Sequence, residues 1–177
     1  IDNPQTNCYR LVHGEGDNLP GLIIDYYDGV AVIQAHSAGM YLSENKICAA
    51  LRHCYGPALK AVYDKSEGTA PYKAGLDLGD KYLWRRDDFK EEESPVVENG
   101  KSFLVNWEKG QKTGFFLDQR DNREMVEEQA RGKRVLNLFC YTGGFSIYAL
   151  AAGAKKVVSV DSSKVAMAMV DKNVAFN

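Results

Sequence analysis

The stretch "NLFCYTGGFSIYALAAGAKKVVSVD", residues 137–161, restricts the folds open to this chain more than any other. The apolar runs "RVLNLF" (134–139) and "KVVSVD" (156–161) suit strands covered on both faces, and "FSIYALAAG" between them reads as a helix ended by Gly153. Strand, helix and strand in so few residues make a βαβ unit, which requires parallel pairing and a right-handed crossover. In open α/β sheets a ligand sits beyond the carboxyl ends of the strands, so the turn from Cys140 to Phe145 is the candidate cradle. Gly143 and Gly144 let the backbone approach a ligand closely, and the helix start offers amides to an anionic group. Asp161 closes the second strand, where a carboxylate can accept both hydroxyl protons of a ribose.

The turn also discriminates among nucleoside cofactors. The dinucleotide fingerprint GxGxxG needs a third glycine for close helix packing, and three residues after Gly144 this chain has Ile147. S-adenosylmethionine carries an adenosine and an amino-acid carboxylate but no phosphate, so a turn with fewer glycines suffices. A βαβ unit without any ligand is the plainer alternative. The glycines joined to the strand-end acid favour a ligand.

Upstream, apolar runs in "GLIIDYYDGVAVIQAH" (21–36) flank Asp28-Gly29, a pair suited to the positive φ angles of a tight turn, and predict a β-hairpin. Ser43 is placed to cap a helix with Ile47, Ala50, Leu51 and Cys54 at helical spacing, stopped by Gly56-Pro57. "LKAVYDKS" (59–66) reads as a strand, and Asn99-Gly100 in "SPVVENGKSFLVNW" (94–107) marks a second hairpin. "RRDDFKEEES" (85–94) reads as a solvated connection. "DQRDNREMVEEQARGK" (118–133) predicts a surface helix with Met125, Val126 and Ala130 on its inward stripe, closing on Gly132. The last stretch predicts a helix capped by Ser162 or Ser163, with Val165, Met169 and Val170 inward. A domain boundary is expected near residue 108.

The 177 residues are 45% hydrophobic, enough for a real core, and the formal charge of −2 gives no global attraction to nucleic acid. Any RNA contact must come from local basic patches. No apolar stretch reaches the roughly 20 residues that span a bilayer, so no membrane is expected and the cytoplasm is the default location. Cys8, Cys48, Cys54 and Cys140 lack CxxC spacing and are expected to be reduced. Cys48, His53 and Cys54 lack an evident fourth ligand, so no metal is assigned and helix packing is the favoured account. The start at Ile1 and the end at Asn177, within a helical pattern, suggest a piece of something longer.

Three segments in order, "GEGDNLPGLIIDYY" (14–27), "GQKTGFFLDQRDNR" (110–123) and "NLFCYTGGFS" (137–146), closely resemble the bacterial and archaeal family of S-adenosylmethionine-dependent large-subunit ribosomal RNA methyltransferases that make 5-methylcytosine. The resemblance covers nearly the whole chain; the acidic stretch from Lys65 to Ser94 departs from it. It implies an α/β architecture: residues 1–108 a central α+β domain with β-hairpins, and 109–177 the opening of a Rossmann-like methyltransferase domain, with the family's PUA domain and later catalytic strands absent. It further implies S-adenosylmethionine as cofactor, with Tyr141, Thr142, Gly143, Gly144 and Phe145 at its methionine end, Asp161 and Ser162 at its ribose, and Thr113, Phe115 and Asp118 on a lid. For Phe116 and Leu117 a packing role is the preferred reading. Ribosomal RNA is the implied partner, with Lys109, Lys112, Arg120 and Arg123 as the RNA-facing patch, and a homodimer is compatible with the sequence. Cytosine C5 methylation uses a cysteine thiolate added at C6 and a base that later removes the C5 proton. In the family that cysteine lies on later strands, so no catalytic residue is assigned here and this piece alone is expected to be inactive. Two other classes stand beside this reading: a nicotinamide-dependent oxidoreductase, disfavoured by Ile147, and a non-catalytic scaffold or binding module.

Overall fold

A computed structural model describes residues 4–71, 75–91 and 93–177. The chain divides into two compact units, one comprising Asn7–Ser94 and Val105–Phe115, the other Pro95–Leu104 and Phe116–Asn177 with the N-terminal residues up to Thr6.

In the first unit, β1 (Cys8–His13), β2 (Leu22–Tyr27), β3 (Val30–Ala35), β4 (Ala61–Asp64) and β5 (Lys81–Arg85) form one sheet in sequence order. The β3–β4 pair is parallel and the others are antiparallel. The expected hairpin pairs Tyr27 with Val30 across Asp28 and Gly29, whose φ angles are 44° and 100°. Gly29 is required there, because a Cβ would lie 2.8 Å from the Ala58 carbonyl oxygen and the Lys60 side chain. Alternate residues of the hairpin serve opposite faces. Leu22, Ile24, Ala31 and Ile33 join Cys48 and Leu51 of α2 (Glu44–Tyr55) in the core, while Asp25 and Tyr27 supply buried polar groups elsewhere.

Ser43 does not cap α2 with its side chain. Its hydroxyl donates to the Gly39 carbonyl, in the short helix α1 (Ala38–Leu42), and Ser37 caps α1 instead. The "RRDDFKEEES" segment is not wholly solvated either: β5 runs to Arg85, and Phe89 is buried in a stack with Trp107.

The second hairpin, β6 (Glu93–Glu98) and β7 (Lys101–Asn106), turns at Asn99-Gly100 with φ of 50° and 76°. The second unit continues with α3 (Arg120–Ala130), β8 (Arg134–Leu138), α4 (Gly144–Ala151), β9 (Lys156–Val160) and α5 (Lys164–Phe176). β8 and β9 pair in parallel from Arg134↔Lys156 to Leu138↔Val160, as a βαβ unit requires. Their link to α4 is polar: Asn137 donates to the Ser146 hydroxyl, which bonds the Ser159 hydroxyl.

Three expectations are corrected. β8 and β9 are covered on one face only; Leu136, Leu138, Val158 and Val160 occupy the alternate, exposed positions. On α3 the inward positions are Arg123 and Ala130, at seven-residue spacing, with Val126 half-buried between them, whereas Met125 falls off that face and is 61% exposed. On α5 the buried face is Ala166, Met169, Val170 and Asn173, so Val165 points outward, and Ser163 rather than Ser162 caps the helix by accepting from the Ala166 amide.

Candidate cofactor site

The turn between β8 and α4 is wound tightly. Phe139, Tyr141 and Gly143 all have positive φ, at 54°, 50° and 85°. Two non-glycine residues in the left-handed region each cost on the order of 1 kcal/mol, so the surroundings must hold them. Asp161 does much of the holding: one carboxylate oxygen accepts the Tyr141 amide at 2.8 Å and the other the Ser163 amide at 2.9 Å. Cys140 is tied by its amide to the Val160 carbonyl at 3.1 Å. The amides of Ser163 and then Tyr141 keep the Asp161 carboxyl below its ordinary range, so it is an anion at neutral pH. Cys140 is buried, and that burial pushes its thiol up, away from the thiolate form a nucleophile needs.

Gly143 caps α4 without a side-chain hydrogen bond, and Gly143 and Gly144 are both buried. A Cβ on Gly143 would stand 3.3 Å from both Val170 methyls. Asn173, fully buried, donates to the Thr142 carbonyl at 2.8 Å and accepts from the Leu104 amide at 2.8 Å, fixing the turn from the α5 side. The Thr142 hydroxyl is buried without a hydrogen-bond partner. Phe116 meets the Tyr141 ring edge-on, with centroids 5.3 Å apart.

The second unit therefore gathers Tyr141, Thr142, Gly143, Gly144, Phe145, Asp161 and Ser162 around one strand-end turn. Asp118 is exposed, in the turn Leu117–Gln119 that precedes α3. Thr113 and Phe115 belong to the first unit and are 0% and 2% exposed. The Thr113 hydroxyl donates to Asp25 at 2.6 Å and bonds the Tyr27 hydroxyl at 2.8 Å, while Arg10 grips Asp25 through two nitrogens. A hydroxyl so engaged anchors the 107–115 strap, which corrects its assignment as a ligand contact. The buried Phe115 ring is likewise core.

Of the four expected RNA-facing cations, Lys109 and Lys112 are exposed. Arg123 is withdrawn from that set: it is 2% exposed, bonds both Glu98 carboxylate oxygens at 2.8 Å and donates to the Phe116 carbonyl. Arg120 also spends its Nε on Glu98, at 3.2 Å. Phe116 packs, as preferred for it, against the Tyr141 ring, and Asn173 is the residue beside the turn that the sequence analysis did not name. It is an asparagine buried on an otherwise apolar helix face, visible in the sequence only as a polar break in that stripe.

A family model described as "S-adenosylmethionine-dependent methyltransferase" matches residues 82–177. The chain is 40% identical over 171 residues to the ribosomal RNA large subunit methyltransferase I of Erwinia tasmaniensis, covering 97% of this chain and 42% of that protein. The protein of the same name from Serratia proteamaculans is also 40% identical, over 169 residues, with 96% and 42% covered. A solved SAM-dependent methyltransferase from Streptococcus mutans superposes with a TM-score of 0.85 at 32% identity, covering 99% of this chain and 44% of that one. A methyltransferase solved in complex with SAH gives a TM-score of 0.84 at 32% identity, with 99% and 43% covered. The chain thus spans less than half the length of the relatives it matches.

Proposed function

We propose, from the premise that this chain belongs to the S-adenosylmethionine-dependent methyltransferase family, that it is the cofactor-holding portion of an enzyme that methylates large-subunit ribosomal RNA, at C5 of a cytosine in 23S RNA. The observation that carries the proposal is the strained Phe139–Gly143 turn held by both oxygens of Asp161. The phosphate-free cofactor asks for such a site: a close glycine approach, a helix start with no side-chain cap and a strand-end anion. The names of the two relatives support RNA as the methyl acceptor.

In this reading Tyr141 to Phe145 line the methionine end of the cofactor, Asp161 accepts its ribose hydroxyl protons, and Ser162 and Asp118 complete the surround. When bound, the cofactor supplies a sulfonium-activated methyl group. Asp161 has two jobs, orienting the ribose and preorganising the turn, and the depressed pKa keeps it charged for both. Asn173 holds the Thr142 carbonyl so that the Thr142 hydroxyl, buried and unpartnered, is a candidate donor to the ligand. Residues 1–108 are read as the central domain and 109–177 as the opening of the methyltransferase domain, although by contacts Pro95–Leu104 group with the second unit and residues 109–115 with the first.

Mapping methylated nucleotides in ribosomal RNA from cells with and without the full-length gene tests the acceptor. The expected result is loss of one 5-methylcytosine from the large-subunit RNA. An unchanged map rejects ribosomal RNA, and loss at a guanine or uracil rejects cytosine.

A further inference from the structure

A cleft of about 760 Å³ opens within the first unit, between the ends of β1–β3, the 65–69 turn and the tip of the 107–115 strap. That size is typical of small-molecule and nucleotide sites. Its wall presents Arg10, His36, Lys65 and Lys112, with Gln34 and Thr69 as hydrogen-bonding groups. None of these groups belongs to the turn described above as the cofactor site.

Hydrogen bonds fix two cations of the wall and, with them, the strap. Arg10 is fixed by the two hydrogen bonds it donates to Asp25, which is fully buried and also holds Thr113 of the strap. Lys65 donates to the carbonyls of Trp107, Glu108 and Gly110, so its ammonium staples the strap from the other side. Between those anchors Lys112 sits at φ 49°, and the Gly114 amide closes the turn on the Gln111 carbonyl at 2.8 Å. A lysine in the left-handed region costs on the order of 1 kcal/mol, and such strain collects where a side chain is being aimed.

We propose that this cleft is an RNA subsite, in which one single-stranded nucleotide of the substrate sets its phosphate toward Arg10 and Lys112 and its base against His36 and Gln34. The inference rests on the RNA-acceptor reading above. Phosphate affinity comes from side-chain cations, and single-stranded bases are taken by stacking on flat side chains and hydrogen bonds to their edges. The wall also carries Glu15 and Asp80, the latter accepting the Glu67 amide at 3.0 Å. Carboxylates repel a continuous phosphate track but accept from exocyclic base amines, so the mixture suits one splayed nucleotide better than a duplex.

The test uses the full-length protein, a fluorescein-labelled large-subunit RNA fragment, and the variants Lys112→Glu and Gln34→Ala/His36→Ala. Anisotropy reads RNA affinity and calorimetry with S-adenosylhomocysteine reads the cofactor site and the integrity of the fold. The expected result is RNA binding weakened at least about tenfold in both variants, with cofactor affinity unchanged. For Lys112→Glu the slope of log Kd against log salt should become shallower by about one. Ultraviolet cross-linking of the unaltered protein should label peptides containing 34–36 or 65–69. RNA affinity within twofold of the parent in both variants, or cross-links that avoid those peptides, overturns the subsite while leaving the acceptor reading intact. A parent protein that binds this RNA no better than unrelated RNA overturns both. A site that binds a free nucleoside monophosphate, lost in the variants while RNA binding persists, assigns the cleft to small nucleotides and overturns the RNA subsite.

Discussion

Replacing Glu98 by glutamine should unfold the second unit far more readily than its modest chemistry suggests. Glu98 is fully buried and accepts from Arg123 Nε and Nη2 at 2.8 Å each, from the Tyr148 hydroxyl at 3.0 Å and from Arg120 Nε at 3.2 Å. A glutamine offers one oxygen to two parallel donors and turns its NH₂ toward an N–H. Arg123, 2% exposed, then keeps the Phe116 carbonyl but loses its counter-charge. Breaking one side of a buried ion pair costs about 3–5 kcal/mol, against a total of roughly 5–15 kcal/mol for a domain. Arg120, by contrast, has a side chain 27% exposed and the longer contact, so Arg120→Ala should cost less than about 1 kcal/mol. Hydrogen exchange read by mass spectrometry on α3 and α4 peptides is the suitable assay, because Trp84 and Trp107 both lie in the first unit and report on the wrong half. Protection in α3 and α4 should fall by about a hundredfold or more in Glu98→Gln, with β1–β3 peptides unchanged. Equal losses in Glu98→Gln and Arg120→Ala, or a loss below about 1 kcal/mol in the former, would refute the reasoning.

Burial pushes the Asp64 carboxyl up to about 6, beside the Glu44 carboxylate, and each acid holds one buried oxygen without a partner, which a shared proton would satisfy. The folded state then binds more protons than the unfolded one between pH 4 and 6, so stability should fall as pH rises through that window, by on the order of 2–3 kcal/mol. Urea titrations of Asp64→Asn should lose that slope; an unchanged slope assigns it to other groups. Gly114 has φ 117°, and a Cβ there would lie 2.8 Å from a Val105 methyl and 2.9 Å from the Asn106 carbonyl oxygen. Gly114→Ala should therefore destabilise the first unit by about 2 kcal/mol in thermal or urea unfolding, and a neutral effect would show that the strap relaxes freely. Asn173→Leu strands the Thr142 carbonyl and the Leu104 amide, for about 2–4 kcal/mol, and should raise the exchange rate of the 140–144 amides; unchanged exchange would mean that the turn holds itself.

The elements that rest on short-range chemistry were readable from the chain. Asp28-Gly29 and Asn99-Gly100 specify their turns by φ angle alone, and the parallel β8–β9 pair follows from the strand, helix and strand order. β1 and β5 were not readable, because Arg10, Lys81 and Arg85 give those strands a charged texture that only tertiary partners such as Asp25 for Arg10 and Glu44 for Lys81 reconcile with a sheet. Arg123 was misread for a similar reason: a buried arginine is invisible until Glu98, distant in sequence, is placed against it. At the candidate site, the glycines and Asp161 were legible as a pattern. The hold of Asp161 on the turn was not, since its bonds to the Tyr141 and Ser163 amides depend on a turn that the sequence does not spell out.

If the turn and Asp161 together hold a phosphate-free adenosyl ligand, calorimetric titration of the full-length protein and its Asp161→Asn variant with S-adenosylhomocysteine and, separately, with NAD will show it. Hydrogen bonds to a charged acceptor contribute about 1.5–3 kcal/mol, so S-adenosylhomocysteine should bind the parent, bind the variant roughly 10- to 100-fold more weakly, and NAD should give no heat. Binding of NAD in place of S-adenosylhomocysteine, or equal S-adenosylhomocysteine affinity in parent and variant, would contradict it.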